Sequence, residues 1–142
     1  MEISEVRRRL RGAIDKARRE AAERRTRTDA AARDYETFLS QRAAPVLHQV
    51  AAALKADGHQ FKVFTPESSI RLAAEGSPDE FIELSLDSSS DPPAVIGRTT
   101  RGRGRRTVSS ERVLKEATPI GDLTEEDVLA FIVEEIPRLL ER

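Results

Sequence analysis

No cysteine and no tryptophan occur among the 142 residues, and aromatic side chains make up only 4%. The missing thiols exclude a disulfide framework and a thiolate metal site, and leave the redox compartment open. With so few aromatics, large rigid anchors and base-stacking platforms are scarce. Nothing approaches about 18 consecutive apolar residues, so no membrane span is expected. The first residues, with Glu2, Glu5 and Arg7 to Arg9, hold no apolar run resembling a signal-peptide core. A cytoplasmic protein that meets no membrane is the expectation.

Charge fills the space that these absences leave, at 35% of the chain with a net value of −1. The small net value hides alternating blocks. Residues 1–57 carry 13 Lys and Arg against 9 acids, and residues 65–91 carry Arg71 alone against 7 acids. Residues 98–115 carry 7 bases against Glu111, and residues 119–142 carry 2 bases against 7 acids. Such blocks fit self-complementary docking or a single polar partner.

The longest pattern is helical and runs from about Ile3 to Lys55. Ile3, Val6, Leu10, Ala13, Ile14, Ala17 and Ala21 recur at three- and four-residue spacing, and the stripe resumes from Ala31 through Leu54. Thr28 or Asp29 could cap a second helix, and Pro45 removes one hydrogen bond and crowds the preceding turn. Candidate breaks therefore lie near 24–29 and at Pro45. A continuous or slightly broken rod is favoured over a hairpin, because 24–29 contains neither Gly nor Pro. Asp57-Gly58 reads as the stop. An unbroken helix of this span would be about 80 Å long, against a remaining head about 30 Å across. Something must cover the excess: a second copy, a larger partner, or the helix itself folded back.

From Gln60 the period falls to two. Phe61 and Val63, then Ile70, Leu72 and Ala74, then Ile82, Leu84 and Leu86 alternate, with turns at Thr65-Pro66-Glu67 and Glu75 to Asp79. Residues 94–100 and 105–110 form a hairpin through Arg101 to Gly104, and short links favour antiparallel pairing. Glu111–Ala117 fits a strand or a short helix. Thr124 caps a final helix with Asp127 three residues on. Its buried stripe is Val128, Leu129, Ile132, Ile136, Leu139 and Leu140, and Pro137 bends or ends it. The expected fold is α+β: a long N-terminal helix, a four- to five-stranded antiparallel meander, and a C-terminal amphipathic helix packed on the sheet. Residues 1–57 form the stalk and 58–142 the head.

Two sets of residues stand out as sites. Val6, Leu10, Ile14, Ala17 and Ala21 would line a partner-binding helix, with the alanines letting another helix approach closely. They are too short a seam for a strong parallel coiled coil, which prefers bulky branched residues. Arg98, Arg101, Arg103, Arg105 and Arg106, interleaved with Gly102 and Gly104, would bind a polyanion, since guanidinium forks suit phosphates. A β-ribbon carrying them could lie along nucleic acid. Arginines at 7–9, 11, 18, 19, 24, 25 and 27 interleave with acids and read as an ion-paired exposed helix.

No catalytic, cofactor or metal set emerges. His48 and His59 lack ligand spacing, and His48 is expected to be partly buried. The serines lack a nucleophile-elbow setting. Pro78-Asp79 and Glu83 resemble the Pro-Asp…Glu-x-Lys pattern of a large nuclease group, but Ser85 occupies the lysine place. Glu83 then reads as an outward residue between Ile82 and Leu84. The expectation is a non-enzymatic interaction or scaffold subunit that oligomerises, or docks on a larger partner, through its N-terminal helix. The alternative is a nucleic-acid-binding module using residues 98–106.

Overall fold

The structure, a computed structural model, describes residues 1–140. One helical column leads the chain: α1 (Ile3–Phe38), a π-helical segment (Leu39–Ala43) and α2 (Ala44–Ala56). Residues 24–29 pass through without a break, so the rod is found and the hairpin is not. Pro45 is where the helix adjusts. Its ring and missing N–H are incompatible with a regular turn behind it, and the preceding turn widens so that the Ala44 N–H donates to the Leu39 carbonyl.

Five strands follow, β1 (Phe61–Phe64), β2 (Ile70–Ala74), β3 (Ser77–Asp87), β4 (Ala94–Arg103) and β5 (Arg106–Val113). They form an antiparallel meander in sequence order. The β4–β5 hairpin is tighter than the sequence pattern implied. Pairing continues to Arg103 opposite Arg106, and Gly104, at φ +65°, makes the turn with Arg105. The ambiguous stretch 111–117 extends β5 to Val113 and then leaves the sheet. α3 (Glu125–Glu135) and a short α4 (Pro137–Leu140) close the described chain, with Pro137 separating them as expected.

The helices cover one face of the sheet. Phe38, Leu47, Ile70, Leu72, Ile82, Leu84, Val128 and Ile132 form the most deeply buried part of the core. The core crosses the boundary at 57/58, because Tyr35, Phe38, Val46 and Leu47 of the helical column pack with strand and α3 residues. α3 starts with a reciprocal capping box. The Asp127 N–H donates to Thr124 Oγ1 at 3.2 Å, and the Thr124 N–H donates to Asp127 Oδ2 at 2.9 Å.

Two expectations about burial within the head need correction. Leu129, placed in the buried stripe of α3, is 39% exposed, and Phe131 is buried in its stead. The reason is Gly97 on β4: a Cβ there would overlap the Phe131 ring, so the missing side chain is the ring's seat. Glu83 does face away from the helices, but it is buried at 8% exposure. Arg71 and Arg98 close over it with nitrogens at 2.8 and 3.1 Å.

Candidate docking surfaces

Residues 3–26 extend beyond the contact that Arg27 makes with the head. Val6 is 38% exposed, Leu10 58%, Ile14 49% and Ile3 71%. Ala17 is exposed and Ala21 half-buried. Leu10, Ile14, Ala17 and Ala21 continue at three- and four-residue steps through Arg24, Thr28 and Ala31 to Tyr35 and Phe38. Those last two are buried at 3% and 0%. The exposed stripe and the head-packing stripe are thus one continuous seven-residue pattern, which turns slowly around the helix by about 20° per heptad. Along the overhang, the Arg9–Glu5 pair at 3.0 Å bridges successive turns, as the interleaved charges suggested. Where the helix meets the head, the Arg27 guanidinium donates to both Asp91 oxygens, at 3.3 and 3.0 Å. That hydrogen-bonded guanidinium holds the Asp91 carboxyl below the ordinary carboxylate range. A cavity of about 690 Å³ lies beside this joint, walled by Ala30, Ala31, Pro92, Pro93 and Ile120.

The five arginines of the hairpin are not brought together. Residues directly opposite in the register share a face, which puts Arg98 on the helix-free side with Glu83 and Arg101 on the helix side with Val108. Arg98 is drawn into the Glu83 pair, and Arg101 is half-buried with an interaction of its own. Arg103, Arg105 and Arg106 remain exposed around the turn. The tip is a three-arginine feature.

Sequence reasoning missed two buried acids. Glu83 accepts from Arg71 Nε at 3.0 Å and from Ser69 Oγ at 3.3 Å. The Arg71 guanidinium lies 3.8 Å over the Phe81 ring. Glu135 is the second, 4% exposed beneath α3 and accepting from Thr99 Oγ1 at 2.8 Å. Arg112 and Arg138 each come within 3.7 Å of it. Glu135 falls on the inward stripe of α3 three residues after Ile132, whereas Glu83 sits at an outward position of β3, with nothing local in the sequence to mark its arginine partners. Tyr35 donates its hydroxyl to the Ser68 carbonyl, and burial, with the Glu83 charge second, pushes its phenol pKa upward.

A groove of about 320 Å³ separates α2 from α3 on the helical side. Val46, Val50 and Ala53 floor it, and Leu129, Glu125 and Glu126 form its other wall. Val133, one turn past Leu129, is 61% exposed. His48 is exposed instead of partly buried, because it falls on the outer side of α2, and His59 is exposed beyond the helix end. Among the described residues no group of three metal-ligating side chains converges, and no helix is long and apolar enough to cross a membrane. In comparisons with known proteins the chain matches no family model, no curated protein and no solved structure.

Proposed function

We propose that this chain is a non-enzymatic interaction subunit whose overhanging α1 docks on a protein surface and whose head is the rigid part it carries. One observation supports this above the rest. The stripe that buries Tyr35 and Phe38 runs on past the head as Ile3, Val6, Leu10 and Ile14, all large, apolar and exposed. Isolated helices are marginal in water, and burial of such side chains contributes about 1.5–3 kcal/mol each. A partner surface supplies that burial. Deleting residues 1–26 keeps the Arg27–Asp91 joint and tests the reading. The deletion should abolish association, followed by light scattering or partner retention, while the head's melting temperature moves little. Association unchanged by the deletion overturns it.

A second reading rests on the exposed trio Arg103, Arg105 and Arg106 at the ribbon tip. Presented this way, guanidinium groups suit a nucleic-acid backbone. The test is affinity for duplex DNA or RNA at rising salt. Changing all three to Ala should weaken binding and flatten its salt dependence by about three phosphate contacts. Absence of binding at low salt removes this reading.

A further inference from the structure

We infer that the occupant is a second copy of this chain, with each overhang seated antiparallel in the α2–α3 groove of the other. This rests on the reading of α1 as a docking segment and names the surface it meets. Charge is the first argument. Residues 1–27 carry 10 Lys and Arg against 5 acids. The groove wall presents Glu125 and Glu126. Basic helix and acidic groove attract each other, and the arrangement is self-complementary as a two-fold pair requires.

Apolar matching is the second argument. Ile3, Val6, Leu10 and Ile14 span about 16 Å of helix, the same length as the 11 residues of α3. Leu129, at 39% exposure, walls the groove over a floor of Val46, Val50 and Ala53, and Val133, at 61%, lies one turn further along α3. Leu129 and Val133 on one side, and Ile3, Val6, Leu10 and Ile14 on the other, are large exposed apolar groups of one chain, found on two surfaces that cannot reach each other within it. Leu10 on α1 and Val50 on α2 lie about 40 residues apart along the one helical column, a separation of about 60 Å.

Register is the third. In an antiparallel two-fold pair, opposed residue numbers have a constant sum. Leu10 facing Val50 therefore puts the axis near residue 30, beside the exposed Ala32, whose small side chain lets two helices approach. The seven-residue stripe turns by about 80° around the helix from Leu10 to Phe38, and each helix covers its own head with its C-terminal half. With the N-terminal half it covers the partner's. Laid along residues 34–57 of the other copy, an overhang about 36 Å long and about 10 Å wide hides roughly 1,400 Å² over both overhangs, of which the groove itself supplies about 650 Å²; the total lies within the range of stable specific interfaces.

The test uses the full chain, which has no native cysteine. Light scattering should give twice 15.8 kDa. Leu10→Asp and Leu129→Asp should each raise the dimer Kd at least tenfold, and both positions are exposed, so the variants fold. Mixing a Leu10→Cys chain with a Leu129→Cys chain under mild oxidation should give a disulfide joining 10 to 129 between copies. Disulfides formed only between two Leu10→Cys chains would overturn the groove assignment, yet leave the overhang as a docking helix. A dimer indifferent to Leu129→Asp would do the same. A monomeric full chain at 100 µM or so would overturn the second-copy occupant, with the deletion of 1–26 deciding separately whether the overhang binds another protein.

Discussion

Residues 3–27 and residues 28–56 follow one another in a single helical column, with apolar residues at the same three- and four-residue spacing. Phe38 and Leu47 in the second stretch are wholly buried, whereas Leu10 in the first is 58% exposed. A helical stripe thus specifies which face will be buried and says nothing about what buries it. Substitutions read that difference directly. Phe38→Ala should lose about 3–5 kcal/mol, by transfer and by the cavity left behind. Leu10→Ala, below the concentration of self-association, should stay within about 0.5 kcal/mol. Urea denaturation of both variants makes the measurement. A large loss from Leu10→Ala in a monomer would show that the overhang already has cover.

The two faces of the sheet make a second contrast. On the covered face, Gly97 leaves room for Phe131, and Gly97→Ala should cost up to about 3 kcal/mol through overpacking. Combining it with Phe131→Leu should recover part of that loss, a coupling that a double-mutant cycle measures. On the open face, Glu83 holds two arginines whose side chains are 29% and 40% exposed. Removing the acid strands both charges, but solvent screens them. Glu83→Ala should therefore cost about 2 kcal/mol, less than a fully buried pair would. Arg71→Met should cost less than Glu83→Ala, because Arg98 stays with the carboxylate.

Much of this architecture was legible in the residues. The change from a three-to-four spacing to a spacing of two at Gln60 marks the helix-to-sheet transition, and the alternation of Phe61, Val63, Ile70, Leu72, Ile82 and Leu84 gives the covered face. Thr124 with Asp127 gives the start of α3. What stayed hidden depends on pairs distant in sequence. Phe131 is chosen over Leu129 only because Gly97, on another element, makes room for it. Glu83 looks like an ordinary outward acid until Arg71 and Arg98 come alongside through strand register. Five neighbouring arginines read as one patch, yet alternation along a strand sends Arg98 and Arg101 to opposite sides. Local pattern determines the elements, and register decides which side chains meet.

The helix starts carry the smallest expected effect and a pH signature. α1 begins at Glu2 with no side-chain cap, whereas α3 begins with the Thr124–Asp127 box. Burial of Asp127 opposes ionisation, but the Thr124 amide and hydroxyl and Lys115 outweigh it, so its carboxyl titrates below the usual range. A depressed folded-state pKa contributes stability that is present above the unfolded value, near 3.8, and lost as pH falls through the folded one. Thr124→Ala should cost about 1 kcal/mol at neutral pH. Asp127→Asn should cost a similar amount at neutral pH and progressively less on acidification below about 4, as the wild-type carboxyl itself becomes protonated. Changing Glu2, at an end with no box and no tertiary cover, should shift the melting temperature by less than about 1 °C at any pH. Thermal melts from pH 7 to 3 distinguish the two ends, and a pH-independent difference between wild type and Asp127→Asn would refute the role given to that carboxylate.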